Sequence, residues 1–285
     1  MKILLDTDIG TDIDDAVCLA YLLAQPECEL LGITTVSGEV EKRAMLASAL
    51  CKVAGKDVPI YPGTEKPLLV NQRQPEAQQA VVLAKWPHET HFPANEAVDF
   101  LRRTIRQHPG EITLLTIGPV TNIALLFALD PEIPHLLKEL VMMIGVYTEF
   151  ERWGDLEWNA MLDPHAAAMV FRAPVPRLRA IGLNVTRRVV LNAADVTARF
   201  TTPVLQAVLD FAQVWFAERP DITFHDPLAG AIIFDDSYCD FLRGTVEVDS
   251  TTGLMHWTPG AGRHDIAVNV DSQRFFAHYF SMFKA

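Results

Sequence analysis

The sequence predicts an α/β protein with an open, mainly parallel sheet and helices on both faces. Short runs rich in Val, Ile and Leu alternate with longer stretches whose apolar residues fall at helical spacing. That order builds a parallel sheet joined by crossover helices. The short runs are also apolar throughout rather than at every second residue, which suits strands buried on both faces.

In chain order, the strand runs are residues 2–6, 30–36, 112–117, 140–144 and 177–183, each closing near Gly, Asp or Ser. Helices are predicted over 14–24, 41–54, 94–107, 121–128 and 164–171. In the first helix Val17, Ala20, Leu23 and Ala24 make one apolar face. The stretch 193–219 is helical and reads as a small cap or an outer layer. Residues 61–76, 86–95 and 147–156 read as long loops, either lids or plain connections. No repeat, low-complexity tract or linker divides the chain, so a single domain over residues 1–285 is expected.

Composition narrows the class. With 49% hydrophobic and 21% charged residues, the chain has ample apolar material for a large core and is not a disordered segment. A net charge of −12 opposes binding to nucleic acid or to an anionic membrane. The basic pairs Arg102-Arg103 and Arg187-Arg188 are too short to offset it. Cys18, Cys28, Cys51 and Cys239 have no C-x-x-C spacing and read as free thiols in a reducing compartment. No signal-peptide pattern or membrane-length apolar run is found, so a soluble cytoplasmic protein is expected.

The chemistry concentrates in Asp6-Thr7-Asp8-Ile9-Gly10-Thr11-Asp12-Ile13-Asp14-Asp15, five aspartates in ten positions where the first strand meets the first helix. A helix start accounts for Asp12, Asp14 and Asp15, as an N-cap and first turn facing the positive dipole end. It does not account for Asp6 and Asp8, which end a strand where open α/β sheets place their ligand crevice. A hard cation would relieve the repulsion, and oxygen-only ligation points to calcium or magnesium. Adjacent helical residues project roughly 100° apart, so one of Asp14 and Asp15 can ligate while the other binds a substrate hydroxyl. An EF-hand is excluded because Val17 stands where its closing Glu should be. A phosphatase beginning with D-x-D fits Asp6-Thr7-Asp8 but not Gly10 or the later Asp-Asp pair.

Three further segments stand out. His225-Asp226-Pro227 is either a helix N-cap followed by Pro or a carboxylate ligand beside a proton donor. Ile117-Gly118-Pro119-Val120-Thr121-Asn122 is a tight turn whose Ile117 carbonyl can complete an oxygen shell. Glu157-Trp158-Asn159, before Asp163-Pro164, brings a carboxylate, an indole and an amide together on a loop.

Together the four segments resemble the inosine-uridine preferring nucleoside hydrolase family. That family has D-x-D-P-G-x-D-D, a T-G-P-x-T-N turn, an E-F-N loop with D-P after it, and a late H-D pair. The counterparts occur here in the same order over nearly the whole chain, and residues 267–280 resemble the family's last strand and helix. The resemblance implies a Rossmann-like nucleoside hydrolase fold and a Ca2+ cofactor. It assigns Asp8, Asp15, Asp226 and the Ile117 carbonyl to the metal, with Asp8 also activating the attacking water. It assigns Asp14, Glu157 and Asn159 to ribose and His225 to protonation of the leaving base, while Trp158 is a candidate for stacking on that base. Asp6 takes a supporting place. A homodimer or homotetramer in purine or pyrimidine salvage is also implied.

The departures fall in particular places. Ile9 replaces the usual Pro, and Thr11-Asp12-Ile13 stands where one residue is usual. Glu39 replaces an Asn, Glu151 aligns with another, and residues 80–86 occupy the place of an H-G-x-x-G segment. The ribose and calcium end therefore follows the family, whereas the base-binding end does not. Calcium-dependent hydrolysis of the N-glycosidic bond is the expected activity. An Asp-nucleophile phosphatase and a non-catalytic nucleoside-binding protein are its rivals.

Overall fold

A computed structural model describes residues 1–148 and 156–283. The five expected strands are β1 (Lys2–Thr7), β2 (Glu29–Thr35), β4 (Ile112–Thr116), β5 (Glu139–Met143) and β6 (Leu178–Ile181). The last strand and helix expected over 267–280 are β11 (His264–Val270) and the helix Ser272–Ser281, and the fold adds β3 (Ile60–Pro62), β7 (Val190–Asn192), β8 (Asp221–Thr223), β9 (Cys239–Val248) and β10 (Met255–Pro259). The main sheet runs β10-β9-β11-β6-β5-β4-β1-β2-β3, and β7 pairs with β8 separately. It is parallel from β11 to β3; β9 and β10 add an antiparallel edge.

Alternation along the strands divides the core into two layers. Ile3 and Leu5 face one set of helices with Leu115, whereas Leu4 faces the other with Ile112 and Leu114. All six are fully buried, each worth about 1.5–3 kcal/mol against exposure. Helices Asp14–Ala24, Val40–Val53 and Pro203–Phe216 cover the first face. Ala97–Gln107, Thr121–Leu129 and Pro164–Arg172 cover the second.

The first helix matches its predicted span, and most other ends differ by a residue or so, as helix ends do. The third helix begins at Ala97 rather than 94, after Asn95 takes the left-handed backbone at φ 60°. The 193–219 stretch divides into Ala193–Arg199 and Pro203–Phe216, with Pro in the first turn of the second helix. Residues 80–86 fall mostly in the 3₁₀ helix Gln78–Lys85.

Strand order changes direction beside β1: β4 lies on one side and β2 on the other. The carboxyl end of β1, carrying Asp6 and Asp8, therefore opens at the crevice of the sheet. Among the described residues, no helix is long and apolar enough to cross a membrane.

Candidate active site

Three of the expected residues converge beyond the end of β1. Asp14 and Asp15 open the first helix, and Asp226 lies in the first turn of His225–Ala231. One carboxylate oxygen from each lies within 4.8 Å of those of the other two, and all three side chains are buried. The Asp226 N–H donates to Asp14 Oδ2 at 3.0 Å, across 212 residues of sequence. Thr7 Oγ1 donates to Asp15 Oδ1. The trio thus includes Asp14, which the motif reading gave to ribose. Asp8 stands beside the trio rather than in it, with Oδ2 accepting from Gln74 Nε2 at 2.5 Å.

Burial pushes the carboxyl groups of Asp14, Asp15 and Asp226 well above the usual range, and their neighbours' charges push further. Asp8 is raised for the same reason, although the Arg43 guanidinium opposes the shift. Asp12 rises to about 6 and Asp6 to about 7, with burial the main cause of each. Gathering this many carboxylates away from water is unfavourable without a cation. An all-oxygen donor set fits a hard divalent ion.

This predicts how metal-free protein responds to pH. A carboxylate whose pKa is raised by folding contributes stability below its unfolded value, and that stability is lost as pH rises through the folded value. The melting temperature of chelator-treated protein should therefore fall by several degrees between about pH 5.5 and about pH 8. Calcium should restore more at the higher pH, where the ligands are ionised. Equal melting temperatures at both pH values, with no calcium response, would show that the cluster is not a cation site.

The turn after β4 forms one wall. Gly118 lies so close to Asp8 that a Cβ there would meet Asp8 Oδ1 at 2.6 Å and its backbone nitrogen at 3.0 Å. Any side chain at this position would displace the carboxylate. The Ile117 carbonyl accepts from Asn159 Nδ2 at 2.9 Å, and the same amide donates to Met143 O at 3.1 Å. Asn122 Nδ2 donates to Asp6 Oδ1 at 2.7 Å, which makes Asp6 a buried brace between β1 and the turn. Thr121 Oγ1 donates to Asp163 Oδ2 at 2.8 Å, while Asp163 Oδ1 caps the helix that starts at Pro164. The D-P pair and the T-N of the turn are thus scaffold.

Glu157 caps the short helix Trp158–Leu162: its carboxylate accepts from the backbone N–H groups of Gly145, Asn159 and Ala160 at 2.7–3.0 Å. Trp158 is half-exposed, and its indole N–H donates to Gln74 Oε1 at 2.6 Å. His225 Nδ1 and Thr186 Oγ1 lie 2.6 Å apart. Burial, then the Arg187 charge, lowers the His225 pKa to about 3, so its ring is neutral at pH 7. Glu39 fastens a neighbouring segment, accepting from Ala77 N at 3.1 Å while pairing with Lys42. Glu151 lies outside the described residues.

Two residues of this site escaped the sequence reading. Arg43 is fully buried and donates to the carbonyls of Ser37, Asp8, Ile9 and Glu76. It therefore ties the aspartate loop to the turn after β2 and to residues 72–79. A cation at helical spacing with Leu46, Ala47 and Leu50, on a face otherwise buried, was the available clue. Gln74 carried no such clue, because it lies in a segment without periodicity.

A parallel α/β sheet whose central strand ends among clustered buried carboxylates defines a protein that acts on a small ligand with a hard cation. The family model of inosine-uridine preferring nucleoside hydrolases matches residues 3–277. The chain belongs to that family, and it is an enzyme that hydrolyses ribonucleosides. It is 32% identical to the inosine-uridine preferring nucleoside hydrolase of Leishmania major, over 96% of this chain and 95% of that one. It is 29% identical to the pyrimidine-specific ribonucleoside hydrolase RihA of Klebsiella pneumoniae, over 96% of each. Its fold is similar to a purine-preferring ribonucleoside hydrolase from Gardnerella vaginalis, with a TM-score of 0.83, 24% identity and coverage of 99% and 98%. The phosphatase and binding-only readings are thereby set aside. The family is metal-dependent, and the aspartate trio is a group that can hold the ion.

Proposed function

We propose that Asp8 is the general base of this hydrolase and that the metal is calcium, held by Asp8, Asp15, Asp226 and the Ile117 carbonyl. The observation that carries the reading is the convergence of buried Asp14, Asp15 and Asp226 beside Asp8 at the carboxyl end of β1. When bound, calcium supplies oxygen coordination for ribose hydroxyls and polarises water.

The protein's own groups do the rest. Asp8 takes a proton from water as its oxygen bonds to the anomeric carbon, a contribution of about 10²–10⁴-fold. The bond from that carbon to the base nitrogen breaks, its electron pair leaving with the base. Asp14 accepts from a ribose hydroxyl and thereby orients the sugar. The surrounding carboxylates favour the positive character that develops on the ribose. Glu157 and Asn159 shape the same wall: Glu157 holds the turn that presents Asn159, and Asn159 holds the Ile117 carbonyl. His225, being neutral, offers the departing base a ring N–H rather than the proton of an imidazolium. Trp158 has the exposed face suited to stacking on a base.

The names of the relatives support a ribonucleoside substrate but differ over the base: inosine and uridine for one, pyrimidines for another, purines for a third. The test is release of reducing sugar from inosine and uridine, with and without a chelator. Chelation should abolish release, and added calcium should restore it better than zinc. Full turnover after metal removal would overturn the calcium assignment.

A further inference from the structure

Gln74 lies within a strap, residues 63–79, that crosses the aspartate loop. The side chain is buried although the segment is irregular. Both of its polar atoms are engaged, by groups of opposite hydrogen-bonding character. Trp158 Nε1 can only donate, so the atom facing it at 2.6 Å is Oε1. That leaves Nε2 facing Asp8 Oδ2, where an ionised carboxylate can only accept. The amide therefore has one orientation. Its neighbours are fixed as well: Gln74 N donates to Gln72 Oε1 at 2.8 Å, and Arg43 Nη2 donates to Glu76 O at 3.2 Å. Gln79 N donates to Gly10 O at 2.9 Å. At Gly38, which has φ +66°, an added Cβ would meet the Gln74 carbonyl at 2.4 Å, so the strap sits directly on that glycine.

We infer that Gln74 is a positioning residue for the reaction: its amide, oriented by the Trp158 indole, holds Asp8 Oδ2 and so fixes the rotamer of the Asp8 carboxylate. This rests on the reading of Asp8 as the base. A carboxylate on the end of a strand can rotate about its side-chain bonds, and a base held off-line loses most of its advantage. The strap supplies the restraint from a direction that β1 and the first helix do not cover. Trp158 contributes through Gln74 in addition to any contact with the base.

The test is steady-state kinetics of calcium-loaded enzyme with inosine and uridine, for Gln74→Met, Gln74→Glu, Trp158→Phe and the Gln74→Met/Trp158→Phe pair. Gln74→Met keeps the shape without the donor and should lower kcat about 10- to 100-fold, with KM changed less than about 3-fold. Gln74→Glu places an acceptor against Asp8 and should lower kcat further. Trp158→Phe, which keeps an aromatic face, should cost less, and the pair should lose less than the two single losses combined, because the indole N–H acts through Gln74. The indole N–H resonance of Trp158, assigned by its loss in Trp158→Phe, should move in Gln74→Met protein without metal. An unchanged kcat in Gln74→Met, an unmoved resonance or fully additive losses would overturn the inference. Asp8→Asn, assayed alongside, separates the two readings. If Asp8→Asn is inactive while Gln74→Met is normal, only the role of Gln74 falls. If Asp8→Asn turns over normally, the assignment of the base falls with it.

Discussion

Asp8→Asn should lower turnover of inosine and uridine by at least about 10³-fold, the largest loss expected from any single substitution of similar shape. Asn keeps the volume of the side chain, and its carbonyl oxygen can still accept from Gln74, so the packing against Gly118 survives. The proton acceptor and one negative charge are lost. Stability should move the other way: removing a charge from the neighbourhood of buried Asp15 and Asp12 should raise the melting temperature of metal-free protein. A variant that is less active, no less stable and weaker in calcium affinity is the expected combination. Turnover within about 10-fold of the parent would rule out Asp8 as the base.

The legible parts of the fold share one property: their local pattern agrees with their tertiary setting. β1, β4 and β5 are apolar runs in a doubly covered sheet, and Asp14–Ala24 is a helix both by spacing and by packing. The missed strands lack that agreement. β3 has three residues and ends on Pro62, while β9 contains Gly244 and charged residues at an antiparallel edge. Their strand conformation comes from pairing with β2 and β11, which no local window contains.

The site divides along the same line. Asp8, Asp14, Asp15 and Asp226 were legible because carboxylates at a strand end and a helix start are costly without a ligand. The motif order supplied the long-range link that spacing could not. Glu157 stood out in the sequence as a candidate ribose contact and not as a cap, because Glu is an unusual residue there and its three backbone partners lie on two sides of residues 149–155. Arg43 and Gln74 depend on how the helix after β2 and the strap pack over β1. Their roles exist only once the chain is folded.

Removing the 2′-hydroxyl of the substrate should reduce kcat/KM by at least about 10³-fold, whereas exchanging purine for pyrimidine should cost no more than about 10²-fold. The two ends of the substrate meet different physics. At the ribose end, buried carboxylates and a cation leave several groups unpaired if a hydroxyl is missing, and such sites reject the deficient analogue strongly. Asp14, buried and already fastened to the Asp226 backbone, has little freedom to find another partner. At the base end, the half-exposed face of Trp158 can stack on either ring system, because every base offers an apolar face. Similar proteins are named for different bases, inosine and uridine for one and pyrimidines for another. The measurement is kcat/KM for inosine, uridine and their 2′-deoxy forms at saturating calcium. Equal cleavage of deoxyribonucleosides and ribonucleosides would remove the ribose role from Asp14 and leave the cluster only its metal.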